Sequence, residues 1–185
     1  SHRFTLDLHS THCVGDVPFA FCDYPDDYNR KVIEALPVDY VLEGWPEIYG
    51  RQAQIQDFST EQCAHVYGNT ATTLECGYHK EPKAAELAYR AIIGALTAFD
   101  MVDLSKPAAH EKTHIQMKSF VLKTGEGKLC RNYKHLDPLV KGEKIAVYDG
   151  GEFLYAPLDG FILLPNLQAQ VNTEWYYLGT AKKAA

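Results

Sequence analysis

The sequence predicts an α/β fold over residues 1–105, followed by an all-β domain over residues 106–185. Two observations predict this division. In the first part, short β-like runs alternate with helical patterns, whereas the second part consists of short runs rich in Val, Ile and Tyr between turn residues. Apolar residues make up 46% of the 185 residues and charged residues 23%, as in an ordinary globular protein.

The first predicted element is a strand over residues 3–9. Its side chains alternate, so that Phe4, Leu6 and Leu8 share one face while Asp7 and His9 share the other. The longest helix is predicted over residues 81–101, where Pro82 suits a first turn and apolar residues recur every three or four positions. Between them, we predict strands over 18–24, 38–42 and 71–76 and helices over 26–36 and 59–67.

The residue composition of the chain changes after Asp103. A linker-like segment covers 104–107, and the residues beyond it predict strands joined by turns. These strands are predicted over 115–122, 144–148, 151–155, 160–164 and 175–178.

Composition excludes several classes of partner. The formal charge is −6 and no run of Lys or Arg occurs, which argues against nucleic acid. The longest uncharged apolar stretch, over 91–99, is far shorter than the roughly 20 residues that span a bilayer, so no membrane association is expected. Five scattered cysteines without a CxxC pair favour reduced thiols and a cytoplasmic protein.

Two segments place reactive side chains at the ends of predicted strands. His9 follows Asp7 at a spacing of two, which puts a carboxylate beside an imidazole on one face, as around a metal ligand. Glu75 lies near the end of another strand, where burial would raise its pKa and suit it to general-base catalysis. An exposed histidine and an exposed edge glutamate are the simpler alternatives.

The segment from His110 to His114 matches the H-E-x-x-H motif of zincin proteases. That motif needs a helix to bring both histidines onto one face. Pro107 lies just before it and no helical stripe follows, so we expect a chance match in a loop-to-strand region. A zincin site would require residues 108–118 to be helical.

The two strand-end segments together resemble a known family. The run from Asp7 to Thr11 is similar to the D-L-H-[SN]-T motif of the succinylglutamate desuccinylase/aspartoacylase family. Residues 71–79 resemble the family's T-[LI]-E-x-G segment, and a helix and a β-rich tail follow in the same order. This resemblance implies part of a zinc-carboxypeptidase-like mixed sheet with flanking helices, followed by a small all-β domain.

The resemblance also implies an activity. In this family one zinc ion is held by H-x-x-E and a later histidine, which matches His9, and the glutamate that matches Glu75 activates water. Asp7 would support the imidazole, and Ser10 and Thr11 would lie near the substrate. The implied reaction is hydrolysis of the amide bond of N-acyl amino acids, with a small-molecule substrate and a zinc cofactor.

The sequence departs from the family pattern at two places. No glutamate has a histidine three residues before it, so the H-x-x-E ligands are absent from the chain. We therefore expect a fragment of a longer protein that binds zinc weakly and is inactive alone, and whose exposed sheet edge favours self-association into a homo-oligomer. His65 stands where aspartoacylase-like members have an arginine, which argues against aspartoacylase specificity.

Two alternatives stay open at this point. A carboxypeptidase-like zinc peptidase would share the fold and the catalytic glutamate. A non-catalytic domain with an incomplete metal site would use the β-rich tail for binding or assembly.

Overall fold

The chain divides into two compact units, Ser1–Ile115 and Gln116–Ala185. The computed structural model describes residues 3–12, 16–50, 59–105 and 111–182. The division falls within a strand, Thr113–Leu122, and the boundary between 105 and 106 that we expect from the sequence stays a prediction.

Unit 1 is a mixed sheet with flanking helices, which confirms the α/β class. Its elements in chain order are β1 (Phe4–Thr11), β2 (Phe19–Phe21), α1 (Asp27–Ala35), β3 (Tyr40–Glu43), α2 (Trp45–Gly50), α3 (Thr60–Val66), β4 (Thr70–Tyr78) and α4 (Pro82–Ala98). The strands follow the order β1-β4-β2-β3, in which β1 is parallel to β4, β4 is antiparallel to β2, and β2 is parallel to β3.

Local capping chemistry sets the helix starts. The Asp26 side chain accepts a hydrogen bond from the Asn29 backbone N–H at the start of α1, and the Ser59 hydroxyl oxygen accepts one from that of Gln62 at the start of α3. Helix α4 ends at Ala98, three residues earlier than predicted, because the chain turns at Asp100, which has a positive φ of 55°. No helix within the described ranges has the length and apolarity needed to cross a bilayer.

A core cluster of unit 1 lies between the sheet and helices α1 and α4. Both helices pack against β4, and they approach each other closely at Gly94, where an added Cβ would lie 2.6 Å from the Ala35 carbonyl oxygen. The fully buried Leu74 of β4 belongs to this core, so its neighbours in sequence, Thr73 and Glu75, point to the opposite face.

Unit 2 is built from strands. Its elements are β5 (Thr113–Leu122, entered from unit 1), β6 (Gly127–Leu129), β7 (Asp137–Leu139), β8 (Lys144–Tyr148), β9 (Phe153–Tyr155), β10 (Gly160–Leu163) and β11 (Glu174–Ala181). The strands follow the order β5-β11-β10-β7, beside a three-stranded sheet β6-β8-β9. A core around Trp175, Tyr176 and Ile162 fills this unit. The three-residue strands β6 and β7 are too short to show the alternation by which strands are predicted.

The zincin alternative is wrong. His114 lies in strand β5, whose period of two cannot arrange an H-E-x-x-H motif as a helix does. Its ring Nδ1 lies 2.6 Å from Glu43 Oε1 of β3, so the side chain already has a hydrogen-bond partner. His110 lies outside the described residues.

Candidate active site

The structure brings His9 and Glu75 together. Strands β1 and β4 run parallel with His9 directly opposite Glu75 in the register, so the two side chains leave the sheet on the same face. His9 Nδ1 lies 3.6 Å from Glu75 Oε1. The imidazole is 52% exposed and the carboxyl 16% exposed, so a half-exposed side chain contacts a mostly buried one.

Asp7 holds the other side of the imidazole. Its Oδ1 lies 3.1 Å from His9 Nε2. Its Oδ2 accepts a hydrogen bond of 2.5 Å from the Thr60 hydroxyl at the start of α3. Asp7 therefore lies where the sequence predicts a supporting carboxylate, with a second partner from a distant helix.

Burial tunes Glu75. Removal from water raises the pKa of this carboxyl, and the nearby Asp7 and Asp16 raise it further, whereas His9 lowers it. Glu75 Oε2 is buried and has no hydrogen-bond partner among the described residues. A carboxyl with a raised pKa and an oxygen available for a new hydrogen bond can exchange a proton with a bound molecule.

Two more acidic residues lie beside this pair. Glu61 is only 2% exposed, and its two carboxyl oxygens accept hydrogen bonds from the backbone N–H groups of Asp23 (2.8 Å) and Thr73 (2.9 Å). The Asp23 carboxyl accepts from the N–H groups of Gly44 and Trp45. Burial raises the pKa of Glu61 to about 8 and that of Asp23 to about 7, against the lowering effect of these bonds.

These side chains surround a cavity of about 300 Å³. Its described lining is Asp7, His9, Phe21, Asp23, Trp45, Ser59, Thr60, Glu61, Thr73 and Glu75. Ser10 is exposed and Thr11 is buried, and neither belongs to that lining, so the expectation that both lie near the substrate gains no support from the cavity. The Thr11 carbonyl oxygen instead accepts from the His79 backbone N–H.

The donor set does not by itself fit a catalytic zinc ion. Such sites use three protein ligands and leave one position open. The cavity offers the single imidazole of His9 between the carboxylates of Asp7 and Glu75. Within the described ranges, no group of three or more His, Cys, Asp or Glu side chains is arranged to hold a metal ion. We therefore derive no chemical step through a metal.

Several lining residues are missed by sequence reasoning. Trp45 lies in a stretch, 44–58, for which no element is predicted, and its ring packs edge-on against Phe21 at 5.3 Å. Thr60 and Glu61 lie at the start of the helix predicted over 59–67, and nothing in their local sequence distinguishes them. Burial of an acidic residue by distant strands leaves no local signal. His65, which stands in place of the family's arginine, is exposed on α3 and stacks on Tyr24 at 4.1 Å.

The arrangement defines a class of fold. A mixed α/β sheet with an imidazole and a carboxyl on two adjacent parallel strands, flanked by helices, is the zinc-carboxypeptidase-like architecture that the sequence resemblance implies. At the level of sequence, neither a family model nor a curated protein matches the chain.

Solved structures identify the fold further. Similar structures include succinylglutamate desuccinylase from Vibrio parahaemolyticus (TM-score 0.73, 14% identity, 98% of this chain and 54% of that one). Others are a succinylglutamate desuccinylase/aspartoacylase from Rhodobacter sphaeroides (0.71, 12%, 97% and 58%) and the ectoine utilization protein EutE from Ruegeria pomeroyi (0.69, 16%, 97% and 60%). The chain thus has the fold of the succinylglutamate desuccinylase/aspartoacylase family, as its motifs predict, and spans 54 to 60% of the length of these three chains.

Proposed function

We propose that the protein containing this chain is a hydrolase that cleaves the amide bond of N-acyl amino acids. The observation that carries the proposal is the contact between His9 and Glu75, at 3.6 Å on the wall of a cavity. The fold, shared with structures described as desuccinylases and aspartoacylases, supports the same reaction class.

Glu75 is proposed as the group that moves protons. Its carboxylate takes a proton from the attacking water while the water oxygen bonds to the acyl carbon. The same proton then passes to the amide nitrogen as the C–N bond breaks. The products are a carboxylic acid and an amino acid. The raised pKa of Glu75 suits the first step, because it makes the carboxylate a stronger base toward water.

Asp7 and His9 are proposed to act together beside Glu75. Asp7 Oδ1 lies 3.1 Å from His9 Nε2, and Nδ1 of the same ring faces Glu75 and the cavity. We further propose zinc as the cofactor of the whole protein, with His9 as one ligand and the remaining ligands from outside the described residues. This chain alone would then bind zinc weakly and be inactive.

The proposed partners, location and oligomeric state are consistent with this function. The substrate is a small molecule, and neither nucleic acid nor a membrane is needed as a partner. Among the described residues, Cys22, Cys63, Cys76 and Cys130 form no disulfide, which supports a reducing compartment such as the cytoplasm. Homo-oligomers of this chain alone are proposed because, among the described strands, β1 lies at one end of its sheet, and strand edges favour pairing between chains.

A substrate panel tests this function. The protein encoded by the reading frame that contains this chain is assayed with N-succinylglutamate, other N-acyl amino acids and peptides with free carboxyl termini. We expect release of free amino acid from N-acyl amino acids. Preferential cleavage of peptides would favour the carboxypeptidase-like alternative instead. Failure to hydrolyse either group, with zinc supplied, would favour a non-catalytic domain with an incomplete metal site.

A further inference from the structure

Two consecutive residues at the start of α3 contact both strands of the His9–Glu75 pair. The Thr60 hydroxyl donates to Asp7 of β1 at 2.5 Å, and Glu61 accepts from the Thr73 N–H of β4 at 2.9 Å. Thr73 lies two residues before Glu75 and on the same face. The first turn of α3 is therefore tied to both strands close to the reacting groups.

Thr60 can act on His9 through Asp7. A carboxylate beside a half-exposed imidazole is free to rotate unless one of its oxygens is held. The Thr60 hydroxyl holds Oδ2 of Asp7, which fixes the plane of the carboxyl and directs Oδ1 to His9 Nε2 at 3.1 Å. Because the His9 ring is 52% exposed, few packing contacts restrict it, and its contacts with Asp7 and Glu75 carry much of its orientation.

Glu61 fixes the turn that carries Thr60. Its carboxyl is removed from water and is compensated by two backbone N–H donors, from Asp23 two residues after β2 and from Thr73 in β4. Moving the turn would break both bonds and leave a buried carboxyl without partners. The Thr60 hydroxyl is thus presented to Asp7 from a rigid base.

We propose that Thr60 is a positioning residue for His9, acting through Asp7, with Glu61 anchoring the turn on which it lies. This inference rests on the proposed function for its catalytic meaning, since the imidazole needs a fixed direction only if it takes part in chemistry. The hydrogen-bond chain from Thr60 to His9 is a separate physical statement that can be tested without any activity.

The test compares three substitutions of threonine in the 185-residue chain. Thr60→Val keeps the shape and removes the hydroxyl, whereas Thr60→Ser keeps the hydroxyl. Thr70→Val is the matched control, because the Thr70 hydroxyl also donates to a carboxylate, that of Asp26, at the other end of β4. The ring signals of His9, assigned with His9→Gln, are recorded by ¹H–¹³C and ¹H–¹⁵N NMR in each variant.

We expect Thr60→Val to move the His9 ring signals toward their positions in the urea-unfolded chain, while Thr60→Ser and Thr70→Val leave them in place. In the active protein, kcat should fall about 10-fold or more in Thr60→Val, with KM within about twofold and recovery in Thr60→Ser. Unchanged His9 signals in Thr60→Val, or equal movement in Thr70→Val, would overturn the inference. A wild-type protein without hydrolase activity would count against the proposed function and leave the NMR result decisive for Thr60.

Discussion

His9 and Glu75 lie directly opposite each other across the parallel strands β1 and β4. One position earlier, Leu8 is opposite Leu74, which is fully buried in the core of unit 1. Since side chains alternate along a strand, a slip of one residue would send either His9 or Glu75 to the helix-covered face. Burial of Leu74 therefore helps to set the register that brings the imidazole to the carboxyl.

The zinc affinity of this chain should be low and should depend on His9. One imidazole flanked by two carboxylates provides fewer strong ligands than a catalytic zinc site requires. In calorimetric titration with Zn²⁺, we expect weak binding that His9→Gln reduces further. His114→Gln, which removes a histidine already paired with Glu43, serves as the control and should change nothing. Tight binding of one zinc ion per chain would contradict this prediction, because it would require more strong ligands than His9, Asp7 and Glu75 provide.

The stability that Glu61 and Asp23 contribute should fall as pH rises from about 4 to 8. Burial raises the pKa of Glu61 from 4.5 to about 8 and that of Asp23 from 3.8 to about 7, so the folded state keeps protons that the unfolded chain releases. Their contribution is complete below the unfolded pKa values and is lost as pH rises through the folded ones. The free energy of unfolding in urea should decline from pH 6.5 to pH 8, above the range in which buried His135, with its pKa lowered from 6.5 to about 3, has the opposite effect.

Substitution of Glu61 isolates its share of that decline. Glu61→Gln cannot titrate, so the slope of stability against pH should be shallower by up to about 1.4 kcal/mol per pH unit. Glu86→Gln, at an exposed position of α4, should keep the wild-type slope. An identical slope in Glu61→Gln and wild type would mean that Glu61 has an ordinary pKa in the folded chain.

Gly94 should resist replacement by alanine although it lies within a helix. Alanine normally stabilises a helix interior by about 0.5–1 kcal/mol relative to glycine. At this position the new Cβ would meet the Ala35 carbonyl oxygen at 2.6 Å, so helices α1 and α4 would have to separate. We expect Gly94→Ala to lower the free energy of unfolding by about 1–3 kcal/mol.

An exposed residue of the same helix provides the control for Gly94. Ala85→Gly measures the propensity difference without a packing change and should destabilise by about 1 kcal/mol. Both substitutions should then be destabilising, although Gly94→Ala adds a methyl group and Ala85→Gly removes one. A Gly94→Ala variant that is more stable than wild type in urea unfolding would show that a Cβ fits between α1 and α4 at position 94.

The parts of the site that local pattern encodes could be predicted from the sequence. The alternation around His9 and the motif around Glu75 place both residues on strands, and the structure puts those strands side by side. The helix starts at Asp26 and Ser59 follow from capping chemistry and lie where they are predicted. These features depend on residues within one turn or one strand of each other.

The rest of the cavity depends on contacts across the chain. Glu61 resembles any acidic residue in a first helical turn, and only the approach of Asp23 and Thr73, 38 and 12 positions away, removes it from water. Trp45 begins a six-residue helix, α2, that is too short for a helical period to be recognised. Burial by distant elements has no local sequence signature, which is why these residues were not predicted.

The most direct test of proton transfer by Glu75 is substrate hydrolysis by the Glu75→Gln variant. The protein that contains this chain is assayed on the N-acyl amino acid it cleaves best, beside wild type and Glu86→Gln, with folding checked by circular dichroism. We predict that Glu75→Gln lowers kcat about 100-fold or more with KM within about threefold, while Glu86→Gln matches wild type. A Glu75→Gln protein that folds and turns over substrate at the wild-type rate would contradict the assignment of proton transfer to Glu75.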